Sequence, residues 1–334
     1  MGIGVNTSTI ESAANLIGCA ILHPPFNYLG VKVGCNMNRI SSWDEVISKV
    51  SSRLSKWKLK SLSIGGRLTL LKSVLTSIPL YHMSIYRVPL GVLQKLESVR
   101  KNFFNGIDGS VRKSSWFNWN KALASKKNGG LGVSSFFAHN RALLFKWVWR
   151  FFTDDSSLWS SFIKALFGSH GALGNSVQFH RRSVWRDIIH ALKSLKDKGI
   201  DLFQFIRKKI GNGENTSFWG DIWLGDIAFK DRFKRLYALE ESKSISVAAK
   251  LGQSSLYHSF RRQPRGGIEL ELLNLLRSEV DALVLPNMDD RWSWSLEGSR
   301  SFSVKSSRVL IDDILMSNAN VPTYVERKCS YEMD

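Results

Sequence analysis

Apolar residues recur at three- and four-residue spacing through the first third of the chain, and this spacing is typical of amphipathic helices. The stripes predict helices over 42–60, 67–77 and 90–104. Gly65-Gly66 is expected to break the chain before the second helix, and Pro79 is expected to end or kink that helix. Three short helices in succession predict a small antiparallel bundle.

The rest of the chain alternates helical stripes with short extended segments. The aromatic-rich stretch 134–153 predicts a long helix with apolar residues on nearly every side, which indicates burial. Further helices are predicted over 158–167, 182–197, 267–283 and 305–316. Alternating residues predict a short strand in 26–33, short strands around a tight turn in 216–223, and a hairpin that joins 292–296 to 300–304. The segment 126–132 (K-K-N-G-G-L-G) predicts a basic turn. The predicted fold class is therefore mainly α with minor β.

Positive charge is concentrated in one part of the sequence. The 334 residues contain 47 Lys and Arg against 28 Asp and Glu, a net charge of +19. Residues 51–150 contain eighteen basic and two acidic residues, and so carry +16 of that total. A cluster of this kind favours polyanion binding, because Lys and Arg displace counterions condensed on phosphates. The alternatives are solvated basic faces or an anionic membrane surface, which would need a cleaner amphipathic helix.

No motif in the sequence is sufficient for catalysis. The phosphate-binding loop, the nucleophile elbow and the H-E-x-x-H pattern are absent, and the seven histidines are scattered. The acidic pairs that a two-metal site could use are Asp154-Asp155, Asp289-Asp290 and Asp312-Asp313. None lies in a predicted turn between two strands, so all three are expected to be solvated.

The cysteines and the absence of a targeting pattern favour an intracellular protein. Cys19, Cys35 and Cys329 are too few for a disulfide framework, and none lies in a C-x-x-C pair. No apolar run is long enough to span a membrane, and the N-terminus lacks the pattern of a secretory signal. We therefore expect an intracellular protein that is not secreted.

Seven ordered blocks of residues carry a family resemblance. They are 28–34 (Y-L-G-V-K-V-G), 53–75, 78–89, 103–106 (F-F-N-G), 126–159, 211–223 and 292–306. In this order they resemble the downstream half of reverse transcriptases from plant LINE-type (non-LTR) retrotransposons, which are RNA-directed DNA polymerases. Two positions depart from the family pattern. Lys32 replaces a proline, and Asn105 replaces the tryptophan of F-F-W-G.

The resemblance implies a C-terminal fragment of such an enzyme. The implied parts are a palm remnant with its last strand (1–38), a thumb-like three-helix bundle (39–110), an aromatic-rich helical connection (111–168), an α+β segment leading into the family's zinc-binding region (169–316) and a divergent disordered tail (317–334). The family's catalytic aspartates would lie upstream and its zinc ligands downstream. The chain alone is thus expected to be inactive and to bind no cofactor, although the parent enzyme would use Mg²⁺.

The resemblance also implies that the thumb holds primer–template nucleic acid, whether RNA, DNA or an RNA–DNA hybrid, through its phosphates. The residues assigned to this role are Arg53, Lys56, Lys58, Lys60, Gly65, Gly66, Arg67, Lys72, Lys126, Lys127 and Lys146. The palm and fingers of the parent would be protein partners, and the family favours nuclear residence. Two alternatives stay open: a host nucleic-acid-binding protein, and a non-functional remnant with an exposed apolar face.

Overall fold

Helices form most of the structure, which confirms the predicted fold class. The computed structural model describes residues 5–21, 23–55, 62–107, 117–173 and 183–317. The α-helices are α1 (Thr7–Ile17), α2 (Asp44–Ser55), α3 (Ile64–Leu70), α4 (Ser77–Met83), α5 (Leu90–Asn105), α6 (Trp119–Leu123), α7 (Phe136–Thr153), α8 (Leu158–Phe167), α9 (Val184–Lys196), α10 (Phe229–Arg232), α11 (Lys234–Leu239), α12 (Val247–Leu251), α13 (Ile268–Val280) and α14 (Val304–Ser317). The strands are β1 (Phe26–Tyr28), β2 (Val31–Val33), β3 (Ile206–Lys209) and β4 (Arg291–Trp294).

The chain divides into two compact units. The first unit comprises Met1–Leu144, Gln178–Ser194 and Arg308–Asp334, and the second unit comprises Phe145–Val177 and Leu195–Ser307. Each unit therefore combines segments that are distant in sequence. The predicted tail, residues 317–334, lies outside the described residues except for the backbone of its first residue, which ends α14.

The core of the first unit forms where α2, α4 and α5 pack together, with aromatic residues from α7. Trp43, at the start of this region, is fully buried, and its indole Nε1 donates a hydrogen bond to the carbonyl of Met37 at 2.8 Å. Asn140 on α7 donates to the carbonyls of Met83 (2.8 Å) and Tyr86 (2.9 Å). This amide fixes the end of α4 to α7, and the two bonds satisfy the donors of a fully buried side chain.

The segment from 64 to 83 stays helical, so the predicted break at Gly65-Gly66 is wrong. Both glycines lie in the first turn of α3, where the hydroxyl of Ser63 accepts the N–H of Gly66 at 3.1 Å. This cap stabilises the turn against the low helix propensity of glycine. Pro79 does not end a helix either. It lies in the first turn of α4, where its missing N–H costs little, after a wider π turn at Leu71–Leu75.

The strands pair differently from the sequence prediction. β1 and β2 form an antiparallel hairpin, which confirms strand structure in 26–33. The predicted hairpin of 292–296 with 300–304 is wrong, because β4 pairs instead with β3, with Ile206 opposite Trp294. The strands predicted in 216–223 are also wrong, but the tight turn predicted between them is confirmed. In this turn Asp221 accepts the N–H of Ser217 at 2.8 Å.

The core of the second unit surrounds Trp219 and Phe218, which are fully buried. A buried ion pair joins Lys250 to Glu240, and both side chains are fully withdrawn from solvent. The indole Nε1 of Trp219 donates to the same carboxylate at 2.8 Å, and Lys250 also donates to the hydroxyl of Ser259 at 2.5 Å. These bonds offset the desolvation penalty of burying the two charged side chains.

Candidate nucleic-acid interface

The predicted basic turn of 126–132 is confirmed, and its backbone is closely fixed. Lys126–Asn128 form one turn of 3₁₀ helix, and Gly129 follows in the left-handed region at φ 71°. The carbonyl of Ser125 accepts the N–H groups of Asn128 (3.0 Å) and Gly130 (2.9 Å). A Cβ at Gly130 would lie 2.1 Å from the carbonyl oxygen of Ala124, so only glycine fits there.

The two lysines of this turn project into solvent. Lys126 and Lys127 are both exposed. In the part of the chain that the structure describes, neither forms an ion pair with a carboxylate. Two positive charges therefore stand side by side on a fixed backbone. The carboxylate that reaches the start of this turn, that of Asp313, accepts the N–H of Ser125 at 3.4 Å.

Lys72, on the π turn after α3, extends this positive region. Its Nζ donates a hydrogen bond to the carbonyl of Leu131 at 2.6 Å. Burial lowers the pKa of Lys72, and the charges of Lys126 and Arg308 lower it further. The charges of Lys126 and Arg308 thus both repel that of Lys72, and an anion beside Lys72 would be stabilised.

Arg308 was not among the residues chosen from the sequence. It lies on α14, and its guanidinium donates to the hydroxyl of Ser134. Burial lowers its pKa, while Asp312 on the same helix raises it. Nothing in the local sequence marks this arginine, because its neighbours carry no excess of positive charge and its position depends on a contact across the first unit.

Two carboxylates, the half-buried Glu97 and the buried Asp312, hold the segment that follows the turn. Glu97 pairs with the fully buried Arg100 at 3.2 Å and accepts the N–H of Phe136 at 2.6 Å. Asp312 accepts the hydroxyl of Ser135 at 2.6 Å and the N–H of Ser135 at 3.1 Å. Burial raises the pKa of Asp312 to about 6. The expectation that Asp312 is solvated is therefore wrong.

Asp290, in the second unit, is also committed to the fold. Its carboxylate accepts the N–H groups of Gly211 (2.6 Å), Gly213 (2.9 Å) and Asn215 (3.0 Å) and the hydroxyl of Thr216 (2.7 Å). Burial opposes the ionised form, but these four hydrogen bonds outweigh it and lower the pKa. Asp290 organises the glycine-containing loop of 211–213, a long-range role that local sequence does not reveal.

Arg67 makes contacts within the fold of the first unit. Its Nη1 lies 3.5 Å from the carbonyl oxygen of Phe104, in the last turn of α5. A Cβ at Gly106, the residue that ends this helix at φ 66°, would lie 2.4 Å from the same nitrogen. The guanidinium thus stands at the negative end of the α5 dipole, where a cation is stabilised.

The remaining predicted residues are spread over the molecule. Arg53 is exposed in the last turn of α2, whereas Lys56, Lys58 and Lys60 lie outside the described residues. Gly65 is exposed at the start of α3. Lys146, exposed on α7, belongs to the second unit. Of the predicted set, the structure brings together Lys72, Lys126 and Lys127.

Among the described residues, no group of three or more His, Cys, Asp or Glu side chains could hold a metal ion. None of the helices described is both long and apolar enough to cross a membrane.

Comparison with known proteins places the chain beside two plant proteins, while no protein-family model matches it. It is 29% identical over 286 residues to a putative ribonuclease H protein (At1g65750) of Arabidopsis thaliana, a match that covers 83% of this chain and 44% of that protein. The chain therefore spans less than half the length of this relative. It is also 31% identical over 152 residues to an uncharacterized mitochondrial protein (AtMg00310) of the same plant, covering 45% of this chain and 94% of that protein. Because nearly the whole of that second protein is matched, the chain belongs to the same family as the uncharacterized mitochondrial protein of Arabidopsis.

Proposed function

We propose that this chain is a retroelement-derived segment of a LINE-type reverse transcriptase, and that it binds the phosphate backbone of nucleic acid. The order of the seven sequence blocks supports this origin. The similarity to a protein named as a ribonuclease H supports a nucleic-acid partner in general. In this proposal residues 39–110 are the thumb-like bundle, and the parent's palm and fingers are its protein partners.

One observation carries the binding proposal: two exposed lysines of the turn, Lys126 and Lys127, have no carboxylate in an ion pair with them among the described residues. Lys126 and Lys127 stand exposed on a fixed backbone beside Lys72 and Arg308. Phosphate oxygens would supply the missing counter-charge, and each neutralised phosphate would release a condensed counterion. Such contacts position a nucleic acid without reading its sequence. The proposed ligand is therefore a nucleic-acid backbone of any sequence.

Catalysis is not part of the proposed function. Two of the three acidic pairs considered for a metal site contribute a carboxylate that is already engaged in the fold. Asp290 accepts four hydrogen bonds, and Asp312 is buried against Ser135. We propose that binding requires no metal ion and that the chain alone extends no primer.

The experiment is fluorescence anisotropy of the full chain with a labelled RNA–DNA hybrid at several salt concentrations. The variant Lys126→Gln/Lys127→Gln is compared with Lys230→Gln/Lys234→Gln, which removes the same charge from exposed lysines of the second unit. We expect wild-type affinity to fall steeply with salt. The first variant should flatten the slope of log K against log salt by about 1.4–1.8 for two lost phosphate contacts.

The matched control should retain the wild-type slope. Equal slopes for the wild type and Lys126→Gln/Lys127→Gln would overturn the assignment of this turn. Absence of binding to the wild type at low salt would overturn the proposed function as a whole.

A second candidate, a remnant that depends on a missing partner, is favoured by apolar residues in the segment assigned to the palm. Leu16 is 90% exposed, Leu29 74% and Ile17 73%. Large apolar side chains in contact with water favour association. Light scattering of the purified chain tests this candidate: concentration-dependent aggregation supports it, and a monodisperse, cooperatively melting sample contradicts it.

A further inference from the structure

We propose that helix α14 controls how the turn at 126–132 binds nucleic acid. Its two neighbouring acidic residues, Asp312 and Asp313, are positioning residues that hold the two ends of the segment 125–135, which contains the turn. The inference rests on the proposed function and adds to it the element on which binding depends. It also gives a role to an acidic pair that the sequence offers for a metal site and that the fold uses differently.

The two carboxylates bind opposite ends of the segment. Asp313 accepts the N–H of Ser125, the residue before the turn, at 3.4 Å. Asp312 accepts the hydroxyl (2.6 Å) and the N–H (3.1 Å) of Ser135, the residue before α7. Because the two acidic residues are adjacent on one helix, both ends of the segment are attached to the same element.

The backbone of Ser134 shows that contacts hold this segment in place. It lies in the left-handed region at φ 60°, which is strained for a residue with a Cβ. The guanidinium of Arg308, one turn before Asp312 on α14, donates to the Ser134 hydroxyl. The fully buried Arg100 on α5 donates to the Ser134 carbonyl at 3.0 Å. A strained residue persists only where its surroundings fix it, so α14 and α5 together determine the path of the chain here.

The helix that provides these contacts is itself anchored in the first unit. Ile311 is fully buried, and Met316 packs against the apolar core of this unit. The contacts of Asp312 and Asp313 join residues that are 177 and 188 positions apart in the sequence. The geometry of the basic turn therefore depends on a helix that is remote in the sequence.

The negative charge of these residues separates a positioning role from a general electrostatic effect. A carboxylate near a phosphate-binding surface repels the ligand, so its removal strengthens binding where charge alone matters. A carboxylate that holds the turn has the opposite effect, because its loss releases the backbone that carries Lys126 and Lys127. The two roles thus predict changes of affinity in opposite directions for the same substitution.

The test compares Asp313→Ala and Asp313→Asn with the control Glu11→Ala, which removes a carboxylate from an exposed position on α1. Anisotropy with the labelled RNA–DNA hybrid measures affinity at several salt concentrations. We expect Asp313→Ala to bind about two- to tenfold more weakly, the range that one hydrogen bond supplies. It should also flatten the slope of log K against log salt by about 0.7–0.9 for one lost phosphate contact.

The asparagine variant separates the hydrogen bond from the charge. Its side-chain oxygen can still accept the N–H of Ser125, so Asp313→Asn should recover the salt slope that Asp313→Ala loses. Because it also lacks the negative charge, it should bind the hybrid more tightly than the wild type. Glu11→Ala should not weaken binding.

Amide hydrogen exchange of the free chain provides a readout that needs no ligand. The N–H groups of Asn128 and Gly130, both bonded to the carbonyl of Ser125, should exchange about two- to tenfold faster in Asp313→Ala. If Asp313→Ala does not fold, as judged by circular dichroism, Ser134→Gly takes its place. That substitution removes the hydroxyl that Arg308 binds, while it preserves every charge and tolerates the left-handed backbone.

Tighter binding by Asp313→Ala would overturn the inference, because the carboxylate would then act only as a charge. Either an unchanged salt slope or unchanged exchange in this variant would overturn it as well. These outcomes, in a wild type that binds the hybrid, leave the proposed function intact. Absence of binding by the wild type instead overturns the proposed function and this inference together, so the two failures can be distinguished.

Discussion

Asp312 and His139 meet at one residue of the first unit, Ser135. The Asp312 carboxylate accepts the Ser135 hydroxyl at 2.6 Å, and the His139 Nδ1 lies 3.1 Å from the Ser135 carbonyl oxygen. Burial raises the pKa of Asp312 to about 6 and lowers the pKa of His139 to about 4. Folding therefore favours the neutral form of both groups: Asp312 keeps its proton to a higher pH than in the unfolded chain, and His139 gains its proton only at a lower pH.

These two shifts should make opposite contributions to the pH dependence of stability. Asp312 binds its proton more tightly when folded, so its contribution is present below pH 4 and is lost as the pH rises to about 6. His139 binds its proton less tightly when folded, so its contribution is present above pH 6.5 and is lost as the pH falls to about 4. Each amounts to about 3 kcal/mol, and the two nearly cancel.

Single substitutions should expose the separate contributions. Relative to the wild type, Asp312→Asn should lose about 3 kcal/mol of unfolding free energy as the pH falls from 6.5 to 4, because only the His139 effect remains. His139→Gln should gain about as much over the same range. Urea unfolding at several pH values measures both. Parallel curves for the wild type and the two variants would contradict the assignment.

Gly130→Ala should destabilise the basic turn. The new methyl group would overlap the carbonyl oxygen of Ala124, which lies 2.1 Å from the position of the Cβ. We expect a loss of about 1–3 kcal/mol in the free energy of unfolding, together with weaker hybrid binding. Chemical denaturation and anisotropy measure the two effects. If affinity is retained despite the lost stability, the geometry of this turn does not matter for binding.

Gly65→Ala tests whether the first turn of α3 needs glycine for function. At this position an added Cβ would meet the Ser63 hydroxyl at 4.0 Å, an ordinary contact. Alanine should therefore raise stability by about 0.5–1 kcal/mol through its higher helix propensity. If a phosphate approaches this backbone closely, hybrid affinity will fall while the melting temperature rises. Unchanged affinity would exclude Gly65 from the binding surface.

The buried pair of Lys250 and Glu240 gives a prediction for the second unit. Lys250→Met alone leaves the Glu240 carboxylate buried without its cation and should cost about 3–5 kcal/mol. The double variant Glu240→Leu/Lys250→Met should recover most of that loss, because no uncompensated charge remains. Thermal and urea unfolding of the wild type and of the single and double variants measure the free energies of unfolding for this double-mutant cycle. Additive losses would show that the two charges do not depend on each other.

Helix positions were the most predictable part of the fold. The predicted 158–167 matches α8 (Leu158–Phe167), and the predicted 90–104 matches α5 within one residue. Such stripes are local, because the residues that bury one face of a helix lie within a few positions of each other. Strand pairing was less predictable. β3 and β4 pair although they are far apart in the sequence, and no local pattern specifies the register of that pairing.

In the candidate site, too, the residues marked by local sequence could be predicted and those defined by tertiary packing could not. Lys126 and Lys127 were identified because charge and glycine spacing mark the turn directly. Arg308 could not be identified from the sequence, because its environment depends on tertiary packing that places its guanidinium against the hydroxyl of Ser134.

The fixed backbone around Gly130 also bears on the entropy of association. A loop that becomes ordered on binding loses about 1–2 kcal/mol for each residue whose backbone it fixes. Here the carbonyls of Ser125 and Ala124 already hold the backbone from 125 to 132 by hydrogen bonds in the unbound chain. Only the side chains of Lys126 and Lys127 remain to be ordered. Even weak contacts to phosphate can then give a measurable affinity, because little of their free energy is offset by the loss of backbone conformational entropy on binding.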